Sequence, residues 1–186
     1  LGDLYFEENQ HERALAYYRE IVDEIEAKGK GGFASHSEER LYELALYKLA
    51  WAYYKIDDLD VAIGRFMTLL DWAERKEAQT GKVADLKPES VRYLAISFSD
   101  SAVEQGISPI GFARQSLQNR ADSPWAFDVL VELATILRDQ ARFEDAIDAY
   151  VELQRMEPLH PLGPEFQNNI IVLYQNLVIP DEDAAA

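Results

Sequence analysis

One stretch of the sequence constrains the fold more than any other: residues 41–74, which read LYELALYKLAWAYYKIDDLDVAIGRFMTLLDWAE. Its spacing predicts two helices joined by a short acidic turn, and the first helix is apolar nearly all the way round. A surface helix carries one apolar stripe, whereas a helix that is apolar on every side has to be buried on more than one. We therefore expect the first helix of this pair to bury more than one face.

The rest of the sequence also predicts helices. Apolar residues recur at intervals of three and four, and no segment alternates with a period of two. Glycines stop the predicted helices, and Pro88, Pro109 and Pro124 open new ones in their first turn. We predict an all-α fold of about nine helices arranged in hairpins. The predicted long helices cover 11–28, 38–55, 59–76, 88–105, 125–140, 143–156 and 165–177, and loops are expected at 79–87 and 119–122.

Three of the predicted hairpins share one pattern of small and large residues. A small residue in the first helix is followed 12 positions later by an alanine in the second. The small pairs are Gly2 and Ala14, Ala50 and Ala62, and Ala134 and Ala146. The large residues around them are Tyr5, Tyr18, Leu49, Tyr53, Phe66, Leu133 and Tyr150. A fourth hairpin is degenerate. Leu94, Ala95 and Phe98 fit its first helix, but that helix is several residues too long for the pattern, and Ala113 is expected to replace the missing alanine.

This pattern resembles the tetratricopeptide repeat, which reads large–x–x–Leu–Gly/Ala–x–x–Tyr, then Ala–x–x–x–Phe, then a late proline, here Pro158. The small residues let two antiparallel helices approach, and the large ones fill the space between them. The resemblance implies an array of helical hairpins in a right-handed superhelix, expected as one domain over residues 1–179. The expected repeats cover 1–28, 38–78, 88–120 and 124–158, followed by a final helix over 164–178 and a disordered tail over 180–186.

The spacing of the repeats indicates insertions. Ala14 and Ala62 are 48 positions apart, whereas the family repeats about every 34 residues. The extra residues fall in 29–37 and 79–87. Such long helices and loops are similar to those of bacterial cell-envelope repeat proteins, which favours the periplasm or envelope over the cytoplasm. Because Leu1 begins in what looks like the middle of a helix, we expect the chain to be part of a longer protein.

The charge of the chain restricts the classes of partner that it can bind. Lys and Arg number 18 and Asp and Glu 34, which gives a net charge of −16. Nucleic acid and anionic membranes need a basic surface, so neither is an expected partner. The negative net charge favours a neutral or basic protein segment over an acidic one as the partner. There is no cysteine, which excludes disulfides and cysteine-based zinc sites, and no apolar run is long enough to span a membrane.

No motif predicts catalysis or a cofactor. His11, His36 and His160 lie in three different regions, without partners at metal-binding spacing. Two Gly-Lys pairs lack the rest of a phosphate-binding loop. The acidic turn at 57–60 lacks the spacing and the glycine of a calcium loop, and a helix cap explains it better. We therefore expect no metal, no cofactor and no enzymatic activity.

The resemblance also implies where a partner binds, because in this family the first helices of the repeats line a concave groove. By position, the groove residues are Leu44, Tyr47, Trp51, Tyr54, Lys55, Arg92, Ile96 and Arg138. Tyr47, Trp51 and Tyr54 share one side of their helix, and an aromatic stripe suits a bound peptide or helix. The alternative is that neighbouring helices cover the stripe. Aromatic residues at 47 and 51 disfavour the family's clamp for acidic C-termini, which uses lysine and asparagine there.

Three functions fit these observations. The first is a non-catalytic interaction module, an adaptor or scaffold that binds a partner segment in the groove near Trp51. The second is a structural spacer of a bacterial envelope or motility complex that self-associates as a homo-oligomer. The third is a regulatory repeat array fused to a catalytic domain outside this sequence.

Overall fold

The computed structural model describes residues 2–8, 10–28, 33 and 35–178, so the predicted tail at 180–186 lies outside the described residues. The prediction of an all-α fold is confirmed: this part of the chain forms nine α-helices, one short 3₁₀ helix and no strand. None of the described helices is both long and apolar enough to cross a membrane. The helices are α1 (Gly2–Glu7), α2 (His11–Ala27), α3 (His36–Lys55), α4 (Leu59–Thr80), α5 (Lys87–Gln105), α6 (Pro109–Ser116), α7 (Pro124–Asp139), α8 (Phe143–Met156) and α9 (Gly163–Val178).

The chain divides into two compact units, Leu1–Ser97 and Phe98–Ala186, with the boundary inside α5. In the first unit α3 packs against both α2 and α4, and in the second α8 packs against both α7 and α9. The two-sided packing of α3 explains its apolar sequence. Its buried residues are Tyr42, Glu43, Ala45, Leu46, Leu49, Ala50, Ala52 and Tyr53.

Three helices begin at a side chain that caps them. Ser35, Asp58 and Ser108 each accept a hydrogen bond from the backbone N–H three residues further on, at the start of α3, α4 and α6. One boundary differs from the sequence prediction: α4 continues to Thr80 instead of ending near residue 76. Helix-favouring residues continue α4 until Gly81, which ends it with φ +68°. A 3₁₀ helix over Gln118–Arg120 also begins the loop expected at 119–122.

The repeated small residues lie where paired helices meet. Ala14, Ala50, Ala62, Ala134 and Ala146 are all fully buried. A side-chain carbon added at residue 2 would lie 3.1 Å from the Tyr18 ring, so α1 and α2 approach closely there and a larger residue would require the ring to shift by a few tenths of an ångström. The large repeat residues Tyr18, Leu49, Tyr53, Phe66, Leu133 and Tyr150 are buried as well, while Gly2 and Tyr5 are half-buried and Pro158 is exposed.

The same backbone hydrogen bond closes the turn in three hairpins. In each, an amide N–H beyond the first helix donates to a carbonyl five residues earlier, which is the Schellman pattern. The N···O distances are 2.8 Å from Gln10 to Tyr5, 3.0 Å from Asp58 to Tyr53 and 2.9 Å from Arg142 to Leu137. These turns therefore repeat with the same spacing as the small residues of the hairpins.

The degenerate hairpin departs from this register. In the other hairpins the accepting carbonyl belongs to the residue at the position of Phe98. Here the equivalent bond joins the Ile107 N–H to the Ala102 carbonyl at 3.0 Å, four residues later. The first helix, α5, is thus about one turn longer than its counterparts. Ala113 is fully buried in α6, as the packing alanines of the other hairpins are.

Two glycines with open surroundings provide a matched test of backbone conformation. No atom would lie within 4 Å of an added side-chain carbon at Gly64 or at Gly106, but only Gly106 has a positive φ, of +64°. We expect Gly106→Ala to lower the free energy of unfolding by about 1 kcal/mol. We expect Gly64→Ala, within α4, to raise it by about 0.5–1 kcal/mol. Urea denaturation of both variants measures this; the same sign for both would contradict the assignment of the two backbone conformations.

Candidate partner-binding surface on the first unit

One side of α3 remains open although the rest of the helix is buried. Leu41 and Leu44 expose 46% and 39% of their surface, which is unusual for leucines on a helix that packs on two neighbours. The residues on this side recur at intervals of three and four, so they form one continuous strip. We call it the α3 face, and it consists of Arg40, Leu41, Leu44, Lys48, Trp51 and Lys55.

The charged residues of the α3 face are all cations. Arg40 and Lys55 are exposed and Lys48 is half-buried. The acidic residue within the same stretch, Glu43, borders the cleft beside Leu44 but is only 2% exposed. Its carboxylate accepts a hydrogen bond from the Leu86 amide at 2.7 Å and one from Lys76 at 3.4 Å. The local charge of the α3 face is therefore opposite in sign to the charge of the chain.

Aromatic side chains from three helices meet at the C-terminal half of the α3 face. The Trp51 ring contacts Tyr93 of α5 at a centroid distance of 4.4 Å, Tyr54 at 5.6 Å and Phe6 of α1 at 6.4 Å. The indole N–H of Trp51 donates to the Tyr47 hydroxyl at 2.9 Å. Trp51 is thus half-buried and fixed by its neighbours, so its ring contributes both to the packing between the helices and to the exposed surface.

Tyr47 lies deeper in the same cluster. Its ring is 6.3 Å from Tyr93 and 6.3 Å from Phe66 of α4. Tyr93 in turn stacks on Phe66 with an angle of 18° between the rings. Burial raises the pKa of the Tyr47 phenol above its usual value, so this side chain stays neutral at physiological pH.

The two lysines of the α3 face lie over aromatic rings. Lys55 Nζ is 4.7 Å from the centre of the Trp51 ring, and Lys48 Nζ is 4.7 Å from the centre of Phe6. Such cation–π contacts hold the lysine stems against the surface. They fix positive charge beside the apolar strip.

The N-terminal half of the α3 face borders a cleft of about 460 Å³. Leu41, Leu44 and Leu86 provide its apolar surface, and Arg40 and Asp85 are the exposed charged residues beside it. The volume lies in the range of about 300–1,000 Å³ that is typical of ligand pockets. A large apolar side chain of a bound segment can enter this cleft.

The structure brings most of the predicted groove residues to the first unit. Leu44 and Lys55 are exposed, while Tyr47, Trp51 and Tyr54 are half-buried. On α5, Arg92 is exposed and Ile96 is half-buried. Arg138 lies in the second unit, where its guanidinium donates to Asp139 at 2.9 Å and 3.0 Å.

Sequence reasoning missed five residues of this region. Arg40, Leu41 and Lys48 stand three or four positions from Leu44, so extending the face of α3 would have found them. Phe6 and Tyr93 contact Trp51 from other helices, and no local signal in the sequence identifies them.

The three histidines take separate structural roles. His11 packs against Phe6, and His160 stacks on Phe166 with a ring-centre distance of 5.8 Å. His36 Nδ1 lies 3.2 Å from a Glu39 carboxylate oxygen. Within the described residues, no group of three or more histidine or acidic side chains is arranged to hold a metal ion.

Comparisons with known proteins identify two repeats. Residues 1–26 and residues 44–71 each match a tetratricopeptide repeat family model. No curated protein sequence matches the chain. Two crystal structures of nearly identical TPR-like repeats of kinesin light chain type, from Podosopora anserina, are similar to it. The first is 18% identical with a TM-score of 0.45, the second 17% with 0.43, and each comparison covers 94% of this chain and 82% of the other.

The geometry separates residues of the α3 face that pack against other side chains from residues that are only exposed on it. We expect Trp51→Ala to lower the free energy of unfolding by about 2 kcal/mol, because its half-buried ring contacts three other rings. We expect Leu44→Ala, which removes an exposed side chain, to change it by no more than about 0.5 kcal/mol. Equilibrium urea denaturation measures both. Equal destabilisation by the two substitutions would contradict this division.

Proposed function

We propose that the chain is a non-catalytic interaction module, or scaffold, whose first unit binds a segment of a partner protein along the α3 face, since two of its segments match tetratricopeptide repeat models. The observation that carries the proposal is the exposure of Leu41 and Leu44, at 46% and 39%, on a helix that is otherwise buried. Exposed apolar residues that border a cleft are typical of interaction sites. The aromatic wall at Trp51 extends this apolar strip.

The chemistry of the α3 face favours one kind of segment. Its apolar strip needs bulky apolar side chains, and its exposed cations, Arg40 and Lys55, complement carboxylates. The partner segment therefore combines leucine-like or aromatic residues with aspartate or glutamate. This differs from the neutral or basic partner that the net charge of −16 favours. Local charge decides the choice because separated surface charges are screened over about 8–10 Å at physiological salt.

A second candidate function is self-association, as in a spacer of an envelope or motility complex. The observation that favours it lies on α9, whose side away from the core exposes four apolar side chains. These are Ile171, Val172, Tyr174 and Leu177, each between 43% and 53% exposed. A second copy of the chain covering this side would make the protein a homo-oligomer. The third function, regulation of a catalytic domain outside this sequence, makes the α3 face a docking site for that domain.

Selection from an unbiased library of displayed 16-residue peptides tests the lead proposal without a known partner. We expect enriched peptides to combine acidic and bulky apolar residues. The double variant Leu41→Ala with Leu44→Ala is expected to weaken their binding at least about tenfold, because it removes the apolar strip. The matched control is Val103→Ala with Ile107→Ala, which truncates exposed apolar residues of the second unit and should leave binding unchanged. Isothermal titration calorimetry measures each affinity.

Other outcomes of this selection are decisive as well. Peptides that bind the double variant as tightly as the native protein would place the site elsewhere. No enrichment, together with concentration-dependent sedimentation, would favour the self-associating spacer. Charge reversal at Arg40 and Lys55 to glutamate should weaken binding most at low salt. Reversal at the exposed Lys82, in the loop before α5, is the matched control and should have little effect.

A further inference from the structure

A second cavity of the first unit lies on the opposite side of α3, away from the α3 face. It has a volume of about 440 Å³ and is bordered by the C-terminal ends of α2 and α4 and the N-terminal part of α3. Tyr42 faces it, two positions before Leu44 and therefore about 200° around the helix. The proposed function does not use this cavity.

Three aromatic rings form the apolar surface of the cavity. Tyr42 and Trp72 are 5.8 Å apart between ring centres, and Phe33 lies 5.5 Å from Tyr42 and 6.2 Å from Trp72. All three contacts are tilted or edge-to-face, so the rings meet at angles and leave a corner instead of a flat stack. Tyr42 and Trp72 are each only 7% exposed, which makes this surface part of the folded core.

Most charged groups around the cavity already have partners. Lys76 Nζ lies 3.4 Å from Glu43 and 3.9 Å from Glu39, and it also lies over the Trp72 ring at 4.9 Å. The carboxylate of Glu26 accepts a hydrogen bond from the Tyr42 hydroxyl at 3.0 Å. These groups therefore each have a partner within the protein.

Arg75 is different from the other charged groups. It is exposed, and within the described part of the chain it forms no hydrogen bond or ion pair. This is unexpected in a chain where 34 acidic residues face 18 Lys and Arg. Burial raises the pKa of the Tyr42 phenol, and the nearby Arg75 guanidinium acts in the opposite direction. The guanidinium therefore lies at the mouth of the cavity, within electrostatic reach of its aromatic surface.

We propose that this cavity binds a carboxylate carried on an aromatic or branched apolar group. The apolar group packs on the rings of Tyr42 and Trp72, and the carboxylate accepts hydrogen bonds from Arg75. A guanidinium presents a planar fork of donors that matches a carboxylate, so Arg75 selects for this anion in both charge and geometry. The ligand is either the C-terminal residue of a polypeptide or a free organic acid, since the two share this chemistry.

A cationic ligand fits the same rings less well. Aromatic surfaces attract cations in general. Here, however, Lys76 already lies over the Trp72 ring at 4.9 Å, and Arg75 borders the same cavity. A third cation would meet two like charges at close range. Glu26 and Glu39 also border the cavity, but Glu26 accepts from Tyr42 and Glu39 lies 3.9 Å from Lys76. The charged group that selects the ligand is therefore Arg75, and it selects an anion.

Titration of the native protein with 3-phenylpropionate and with its uncharged amide tests the proposal. We expect saturable binding of the acid and at least tenfold weaker binding of the amide, measured by calorimetry and by the chemical shift of the Trp72 indole N–H. Arg75→Gln should abolish the difference between acid and amide. Arg40→Gln, which changes an exposed arginine on the other side of α3, is the matched control and should preserve it.

Three results would overturn the proposal: equal affinity for acid and amide, a preference that survives in Arg75→Gln, or no saturable binding of the acid up to about 10 mM. The tripeptide Gly-Gly-Phe, with a free or an amidated C-terminus, separates the two sources. Tighter binding of the free tripeptide than of 3-phenylpropionate assigns the site to polypeptide C-termini, and weaker binding assigns it to small acids. Peptides selected through the α3 face should bind Arg75→Gln normally, so failure of one proposal leaves the other intact.

Discussion

The structure depends on the close approach of paired helices at positions without large side chains. Ala50 and Ala62 are fully buried in the first unit, and Ala134 and Ala146 are fully buried in the second. Helix axes can approach to about 8 Å only where small residues face each other. The space on either side is then filled by large residues that the same pattern supplies, among them Phe66 and Tyr150. One local rule of sequence thus determines where each helix pair meets and what fills the gap.

The turn hydrogen bonds make this packing repeat. In three hairpins the carbonyl that accepts the turn hydrogen bond lies three residues after the small residue of the first helix. The second helix then starts in the same orientation each time, and its alanine packs against that small residue. In α5 that bond falls four residues later, at Ile107. The hairpin then needs a different alanine, Ala113, to pack. A change of one helical turn therefore preserves the architecture while it removes the sequence signature by which the repeat is recognised.

The fold was predictable because its signals are local. Ser35, Asp58 and Ser108 cap the helices they precede, and the apolar spacing of α3 indicates two-sided burial. The end of α4 was not predictable in this way, because helix-favouring residues continue the helix beyond the expected boundary as far as Gly81. The candidate surface was only partly predictable. The spacing of α3 places Leu44 and Trp51 on one side, but the position of the Trp51 ring depends on Phe6 and Tyr93, which lie more than 40 residues away in sequence.

The distribution of charge was the property of the candidate surface that the sequence predicted least well. The net charge of −16 is a sum over the chain and carries no information on position. The helix period places Arg40, Lys48 and Lys55 on one side of α3, while Glu43 beside them is buried, and Lys76 and the Leu86 amide satisfy it. Because Lys76 is held there, it cannot pair with a ligand in the second cavity, and Arg75 is left as the cation available at that site. The buried carboxylate of Glu43 therefore shapes the electrostatics of both surfaces of α3: its burial leaves cations as the exposed charges of the α3 face, and its pairing with Lys76 leaves Arg75 to receive an anion.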